Sequence, residues 1–379
     1  MMWYNNKVLY KRKEGQMDLI IGDTRKLKME LLNFYKNQYK ENPLARNTMS
    51  GLLKDILFGN SIMSKSIEII PLLVVENNKI YLTCLLAHAK RMPDTLQISF
   101  FESCEYTKEG FDLIYKKALE VAKDYKATKI SGSLNIHVNY GLGFLADSYN
   151  ELQSFGMAYN KDHVHKYFKD CGFKEKELVT FKKSTLNMES PVSSFIKKRL
   201  AKNYRVRELD LKNLKEEAKI YNDINNDAFK DHLFYYKRDP DEDVELFKNF
   251  KPLLKAENLL FVEKAGKAIG FMLWYPDFNE LIGPGESLGL KTFIRYKILN
   301  QKIEKFKIVE IGMIKEEQGL GGVLALFDYC YEKTKNKFNR FESSWVLWDN
   351  TKSRGFGDKW ADGISRTYKA YILELNNEY

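Results

Sequence analysis

Read for the spacing of its apolar positions, the chain breaks into two cycles of the same kinds of element. TRKLKMELLNFYKNQYKE has helical spacing and opens at Asp23 or Thr24, either of which can cap the first free amides of a helix. IEIIPLLVVENNKIYLTCLLAHAK then gives strand, turn, strand: two runs rich in branched aliphatic groups flank Glu76-Asn77-Asn78, and asparagine tolerates the positive φ of a tight turn. LQISFFESCE reads as a further strand, GFDLIYKKALEVAKDY as a helix and ATKISGSLNI as another strand. A strand, helix, strand order needs a crossover connection, so the sheet is expected to be mixed.

Around residues 183–203 the pattern changes to a polar stretch with Pro191 and paired serines, followed by a basic helical piece. After it YRVRELD starts a second cycle: helices rich in Asn and Asp, the strand pair LLFVEKAGKAIGFMLWYP, the strand KIVEIGMI, the helix VLALFDYCYEKTKNKF, and the strands RFESSWVLW and RTYKAYILEL. The order of elements repeats although the letters hardly do. The expectation is therefore two copies of one α/β architecture, residues 1–185 and 204–379, joined by a linker at 186–203.

Length and composition agree with this division. At 379 residues the chain exceeds the size at which one core stops growing, and 44% apolar content is enough for two. No stretch approaches the about 18 consecutive apolar residues of a membrane span, and the opening MMWYNNKVLYKRKEG lacks the apolar run of a secretion signal, so a cytoplasmic location is expected. Cys84, Cys104, Cys171 and Cys330 are far apart and have no CxxC spacing, and the five histidines are dispersed; neither a disulfide framework nor a metal site is indicated. The net charge of +10 suits an anionic partner such as a nucleotide cofactor, RNA or a lipid headgroup without choosing among them, and its lysines are scattered rather than gathered into a run.

The segment with the most chemistry is Glu310 to Leu324, EIGMIKEEQGLGGVL, an apolar strand running into a glycine-rich turn and straight into an amphipathic helix. Glycines let the backbone fold around an anion, and the helix N-terminus adds the positive end of its dipole. Together they form a cradle for a pyrophosphate. The nucleotide-binding pattern GxxxxGK[ST] is absent.

QGLGGV resembles the Q/R-x-x-G-x-G/A loop of GNAT acetyltransferases, with Gln318 and Gly321 in register and Val323 where glycine or alanine is usual. GMIKEEQGLG followed by SSWVLWDN, YPDFNELI, RTYKAYIL and, in the first half, SGSLNIHVNYGLG and YNKDHVHKYFKDCGF resemble an ordered set of segments in bacterial tandem GNAT-like proteins, across most of residues 70–375. This resemblance implies two GNAT-like folds and a cofactor, acetyl-CoA or another acyl-CoA, held by the second. The backbone of Ile311, Gly312 and Met313 would pair with pantetheine, the amides of Gln318, Gly319, Leu320, Gly321 and Gly322 would hold the pyrophosphate, and Asn350 would lie near the cofactor. Asp277 and Asn279, turn formers by their chemistry, become substrate-cleft residues under the resemblance, together with Trp348. The first half has no such loop, since its corresponding strand enters its helix through YTKEG.

Acylation of an amine needs a group to take the ammonium proton and benefits from an acid near the leaving thiolate. Glu310 is the candidate base, acting through water, and Tyr368 or Tyr371 on the last strand the candidate acid; TKSRGFGDKW supplies Phe356 and Trp360 where many GNAT enzymes carry a tyrosine. The expectation is an acyl-CoA-dependent N-acyltransferase acting on a small-molecule or peptide amine, without metal. Two other readings stay open at this point: a non-catalytic acyl-CoA-binding or interaction protein, and a transferase that takes an aminoacyl group from tRNA.

Overall fold

The computed structural model describes residues 16–375. The opening stretch 1–15, read above as lacking a secretion signal, lies outside the described residues. The chain forms two compact units: Met1–Leu178 with Gly283–Ser287 and Arg366–Tyr379, and Val179–Ile282 with Leu288–Ser365.

The first unit runs β1 (Asp18–Ile21), α1 (Arg25–Asn37), α2 (Ser50–Leu57), β2 (Ile67–Glu76), β3 (Lys79–Ala89), β4 (Thr95–Ser103), α3 (Lys108–Asp124), β5 (Lys129–Gly132), β6 (Phe144–Leu145), α4 (Val164–Asp170) and the start of β7 (Lys174–Ser184). Of the two capping candidates the structure uses Thr24, whose hydroxyl accepts from Leu27 N at 3.3 Å. The β2–β3 hairpin turns on Asn77 and Asn78 with φ of 49° and 65°, so that Glu76 sits opposite Lys79. The main core lies between the sheet and α3, where Leu72, Leu86, Ile98, Phe111, Ile114 and Phe168 are buried.

The second unit continues with α5 (Ser194–Asn203), β8 (Arg205–Glu208), α6 (Leu214–Ala228), α7 (Pro240–Phe250), β9 (Leu259–Lys264), β10 (Lys267–Pro276), α8 (Leu290–Phe293), β11 (Lys305–Met313), α9 (Gly322–Thr334), β12 (Arg340–Ser343), β13 (Val346–Leu347) and α10 (Thr351–Trp360); β14 (Gly363–Glu374) closes the chain. Residues 186–203, read above as a linker, belong to this unit, as α5 and its lead-in. The helix is held by the ion pair Lys197–Asp328 at 2.6 Å to α9.

Both sheets have one plan. The strand order is β1-β2-β3-β4-β5-β14 in the first unit and β8-β9-β10-β11-β12-β7 in the second. Along these two strand orders the neighbours pair antiparallel except at the centre, where β4 runs parallel to β5 and β11 to β12. The crossover helices α3 and α9 connect those parallel pairs. What the spacing of apolar residues could not show is the origin of the sixth strand. The first unit takes residues 366–374 from the far end of the chain, and the second takes residues 179–184 from the end of β7.

Candidate active site

In the second unit β11 and β12 pair only at Lys305–Ile308 with Arg340–Ser343. Beyond Ile308 the chain after β12 leaves, its last tie being Ser344 N to Ile308 O at 2.8 Å. The edge of β11 from Val309 to Met313 is therefore not paired with a strand on that side. Gly312 has no room for a side chain, because a Cβ there would lie 2.5 Å from the Phe271 ring.

At Met313 the strand enters the glycine turn. Gln318 is tied down by its own side chain, Nε2 to Met313 O at 3.2 Å, and Lys315 N donates to Asp227 of α6 at 2.7 Å. Glu317 pairs with Lys264 of β9 at 2.7 Å, which offsets one of the acids in the turn. Gly321 is the N-cap of α9 with φ of 105°, and a Cβ there would meet Leu200 of α5 at 3.2 Å. The Tyr204 hydroxyl, just after α5, donates to Leu320 O at 2.8 Å. Of the amides expected to hold the pyrophosphate, those of Gln318 and Leu320 donate within the turn, to Lys315 O at 3.4 Å and Glu317 O at 3.5 Å, whereas the amides of Gly322 and Val323 open α9 and have no acceptor within the helix. A fixed turn, two helix-opening amides and a dipole suit a pyrophosphate, so the residues present fit the cofactor implied by the resemblance.

Glu310 stands at the fork between β11 and β12. Its Oε1 accepts from Asn225 Nδ2 at 2.8 Å, and its Oε2 accepts from the Tyr221 hydroxyl, both donors on α6. Desolvation pushes its carboxyl up to about 7, against the opposing pull of those two donors and of Arg238. Behind it lies a buried ion pair, Arg238 with Asp243 at 2.9 Å, and Asn222 Nδ2 donates to Asp243 at 2.6 Å. His232 is pushed down to about 4 by burial, so it is neutral at physiological pH. Its Nδ1 accepts from Phe234 N at 3.2 Å.

The other candidate residues occupy various places. Tyr368 is fully buried in the first unit, on β14 opposite Leu145, whereas Glu310 is in the second unit. Tyr371, also in the first unit, meets His165 Nδ1 at 2.7 Å. Asp277 and Asn279 are fully buried; Asp277 pairs with Lys305 at 2.8 Å, at the N-terminal end of β11, the end opposite the glycine turn. That pairing assigns Asp277 to holding the base of the sheet. Asn350 caps α10, accepting from Ser353 N at 3.2 Å. Trp348 is 40% exposed with the Arg354 guanidinium 4.2 Å over its ring. Phe356 and Trp360 pack with Phe327 in an aromatic cluster. Among the described residues no group of side chains is arranged to hold a metal ion, and no helix is long and apolar enough to cross a membrane.

Tyr221 and Asn225 escaped the sequence reading. The available clue was the run IYNDINNDA, which puts Tyr221 and Asn225 one helical turn apart on one face of α6.

In the first unit the corresponding fork is filled by the chain itself. β4 and β5 pair at Thr95–Ile98 with Lys129–Gly132, and the chain after β5 then stays beside β4. Gln97 Nε2 donates to Ile136 O at 3.1 Å, and Phe100 N donates to Asn135 Oδ1 at 2.8 Å.

Two successive units of this topology define a tandem GNAT fold, and solved structures of that class span almost the whole chain. A tandem GNAT protein from the clavulanic acid biosynthesis pathway is 9% identical, covers 96% of this chain and 100% of its own, and has a TM-score of 0.54. A conserved protein of unknown function from Enterococcus faecalis is 12% identical over 95% of this chain and 74% of its own, with a TM-score of 0.52. A GCN5-related N-acetyltransferase from Anabaena variabilis is 9% identical over 95% and 73%, with a TM-score of 0.51. Among characterised sequences, a bacterial ceramide synthase from Caulobacter vibrioides is 21% identical over 70% of this chain and 72% of its own. No family model matches the chain.

Proposed function

We propose that this protein is an acyl-CoA-dependent N-acyltransferase whose second unit holds the cofactor and carries the base. The observation that supports it most is Glu310, a desolvated carboxylate at the fork of β11 and β12, on the strand that leads directly into the glycine turn.

Bound acyl-CoA would supply an activated thioester. The edge of β11 at Ile311–Met313 offers backbone groups to pantetheine, and the amides of Gly322 and Val323 offer donors to the pyrophosphate. Glu310 is near half-ionised at neutral pH, so it can take the proton that an acceptor ammonium must lose before its nitrogen attacks. Tyr221 and Asn225 each donate to one of its oxygens, which fixes the carboxylate's orientation. Water would protonate the departing thiolate, since the place usually held by a tyrosine is taken by packed Phe356 and Trp360.

A ceramide is an amide, and its synthesis acylates an amine. The similarity to a ceramide synthase therefore agrees with N-acylation and brings lipid amines and long-chain acyl donors into the range to be tested. Calorimetric titration of acetyl-CoA and palmitoyl-CoA into the full-length protein is the direct test, followed by a thiol-release assay over small, peptide and lipid amines. Saturable binding near one site per chain and amine-dependent thiol release support the reading. Absence of binding to folded protein overturns it.

A further inference from the structure

The first unit has a cavity of its own, next to the filled fork. Its lining includes the rings of Tyr35 from α1, Tyr39 from the turn just after that helix, Phe100 and Phe101 from β4, and Tyr140 and Tyr159 from the following loops. The rings pack edge to face, Tyr35 with Phe100 at 6.0 Å and Tyr39 with Tyr159 at 5.5 Å. Into this aromatic lining is set a carboxylate, Glu102 of β4, which is 7% exposed.

Glu102 differs from three buried carboxylates of the second unit, Asp243, Asp277 and Glu342, and is like Glu310 in being held by neutral donors. Asp243 is matched there by Arg238, and Asp277 and Glu342 by Lys305. Glu102 has no ion pair among the described residues, only the Tyr39 hydroxyl donating to Oε2 at 2.9 Å. A buried carboxylate held by one phenol, with the Lys161 ammonium acting on it without an ion-pair contact, is costly to ionise, and a cation in contact would lower that cost.

Two further features mark the cavity as built for a ligand. Ser133, which also lines it, is 4% exposed, and its hydroxyl has no partner among the described residues. Ser133 and Phe100 both have left-handed backbone, φ of 72° and 48°, a strain that clusters where binding sites hold a geometry.

We propose that this cavity binds the ammonium end of a primary amine with an aromatic or aliphatic body, the Glu102 carboxylate and the surrounding ring faces holding the charge. Aromatic faces attract cations through their quadrupoles, and the carboxylate supplies the counter-charge. All the residues belong to the first unit, so the inference stands whether or not the second unit takes acyl-CoA.

The charged groups around Glu102 set the pH dependence. Tyr35 faces it from α1 and Tyr39 from the turn after that helix, and Lys161 lies before α4; burial pushes the carboxyl up to about 8 while Tyr39 and Lys161 pull it down. Lys36 and Lys40 line the cavity as exposed cations, and the Arg46 guanidinium is bonded to the carbonyls of Pro43 and Ala45. An ammonium favours the ionised carboxylate, so binding should release a proton and tighten from about pH 6.5 to about pH 8.5.

The test is calorimetric titration of the full-length protein with hexylamine and phenethylamine, against hexanol and phenethyl alcohol as neutral controls. The amines are expected to bind, the alcohols to bind far more weakly, and Glu102→Gln to weaken the amines by about tenfold or more. Proton release, read from buffers of different ionisation enthalpy, is expected in the wild type. The proposal is overturned if folded wild-type protein binds neither amine, if the alcohols bind as tightly, or if Glu102→Gln with a native circular dichroism spectrum keeps full affinity. Should that variant not fold, the alcohol comparison and the pH dependence of the wild type decide.

Discussion

Glu310 combines two properties that oppose each other. Its carboxyl keeps its proton to about 7 in the folded chain. An unfolded glutamate ionises near 4.3, so between those values the folded state holds an extra proton and stability falls as pH rises. Glu310→Gln removes this penalty and should raise the unfolding temperature relative to wild type at about pH 8, with no gain near pH 4. A thermal unfolding series over pH reads it directly. The same substitution removes the proposed base, so the rate of thiol release should fall by about a hundredfold or more while acyl-CoA affinity is retained. The wild-type rate should rise with pH through about 7, and the variant should lose that rise. Glu310 was legible as a carboxylate on a strand ahead of a glycine turn. Tyr221 and Asn225 were not, because they lie 89 and 85 residues away in the chain and meet it only when α6 packs on β11.

At the scale of the element, the glycine turn and the hairpin turn were both readable, for the same reason. Each requires positive φ, and the residue types that tolerate it are few. Gly321 has φ of 105° with Leu200 3.2 Å from where a Cβ would stand. Gly321→Val should therefore abolish acyl-CoA binding, with circular dichroism unchanged, and Gly321→Ala should weaken it less; calorimetry distinguishes them. Equal affinity in the valine variant would remove the turn from the cofactor site. α5 was read as part of a linker because it is basic and follows a polar stretch with Pro191 and paired serines, and in the structure it buries no residue completely. What fixes it is ion pairing to Asp328 of α9 and the tyrosine that follows it, contacts that no helical periodicity reports.

For the whole molecule, the exchanged strands matter most. Residues 366–374 complete the first unit by pairing with β5 and β6, and Tyr371 is in that unit's core with its hydroxyl on His165. Deleting residues 366–379 should unfold the first unit, and hydrogen exchange should show loss of protection in β4 and β5 although the deletion is far from them in sequence. Unchanged protection there would show that β14 is dispensable.

The sequence by itself determined most of the elements, the repetition of their order and the glycine turn, because each depends on residues within a few positions of one another; RFESSWVLW, read as one strand, is broken into β12 and β13 where the chain leaves β11 after Ser343. The tertiary structure decided which strand closes each sheet, that Glu310 meets Tyr221 and Asn225, that Asp277 is consumed by Lys305, and that the first unit's fork is filled by its own chain. Those outcomes depend on long-range pairing and on how well a charge is matched once it leaves water, and neither is written in the local spacing of residues.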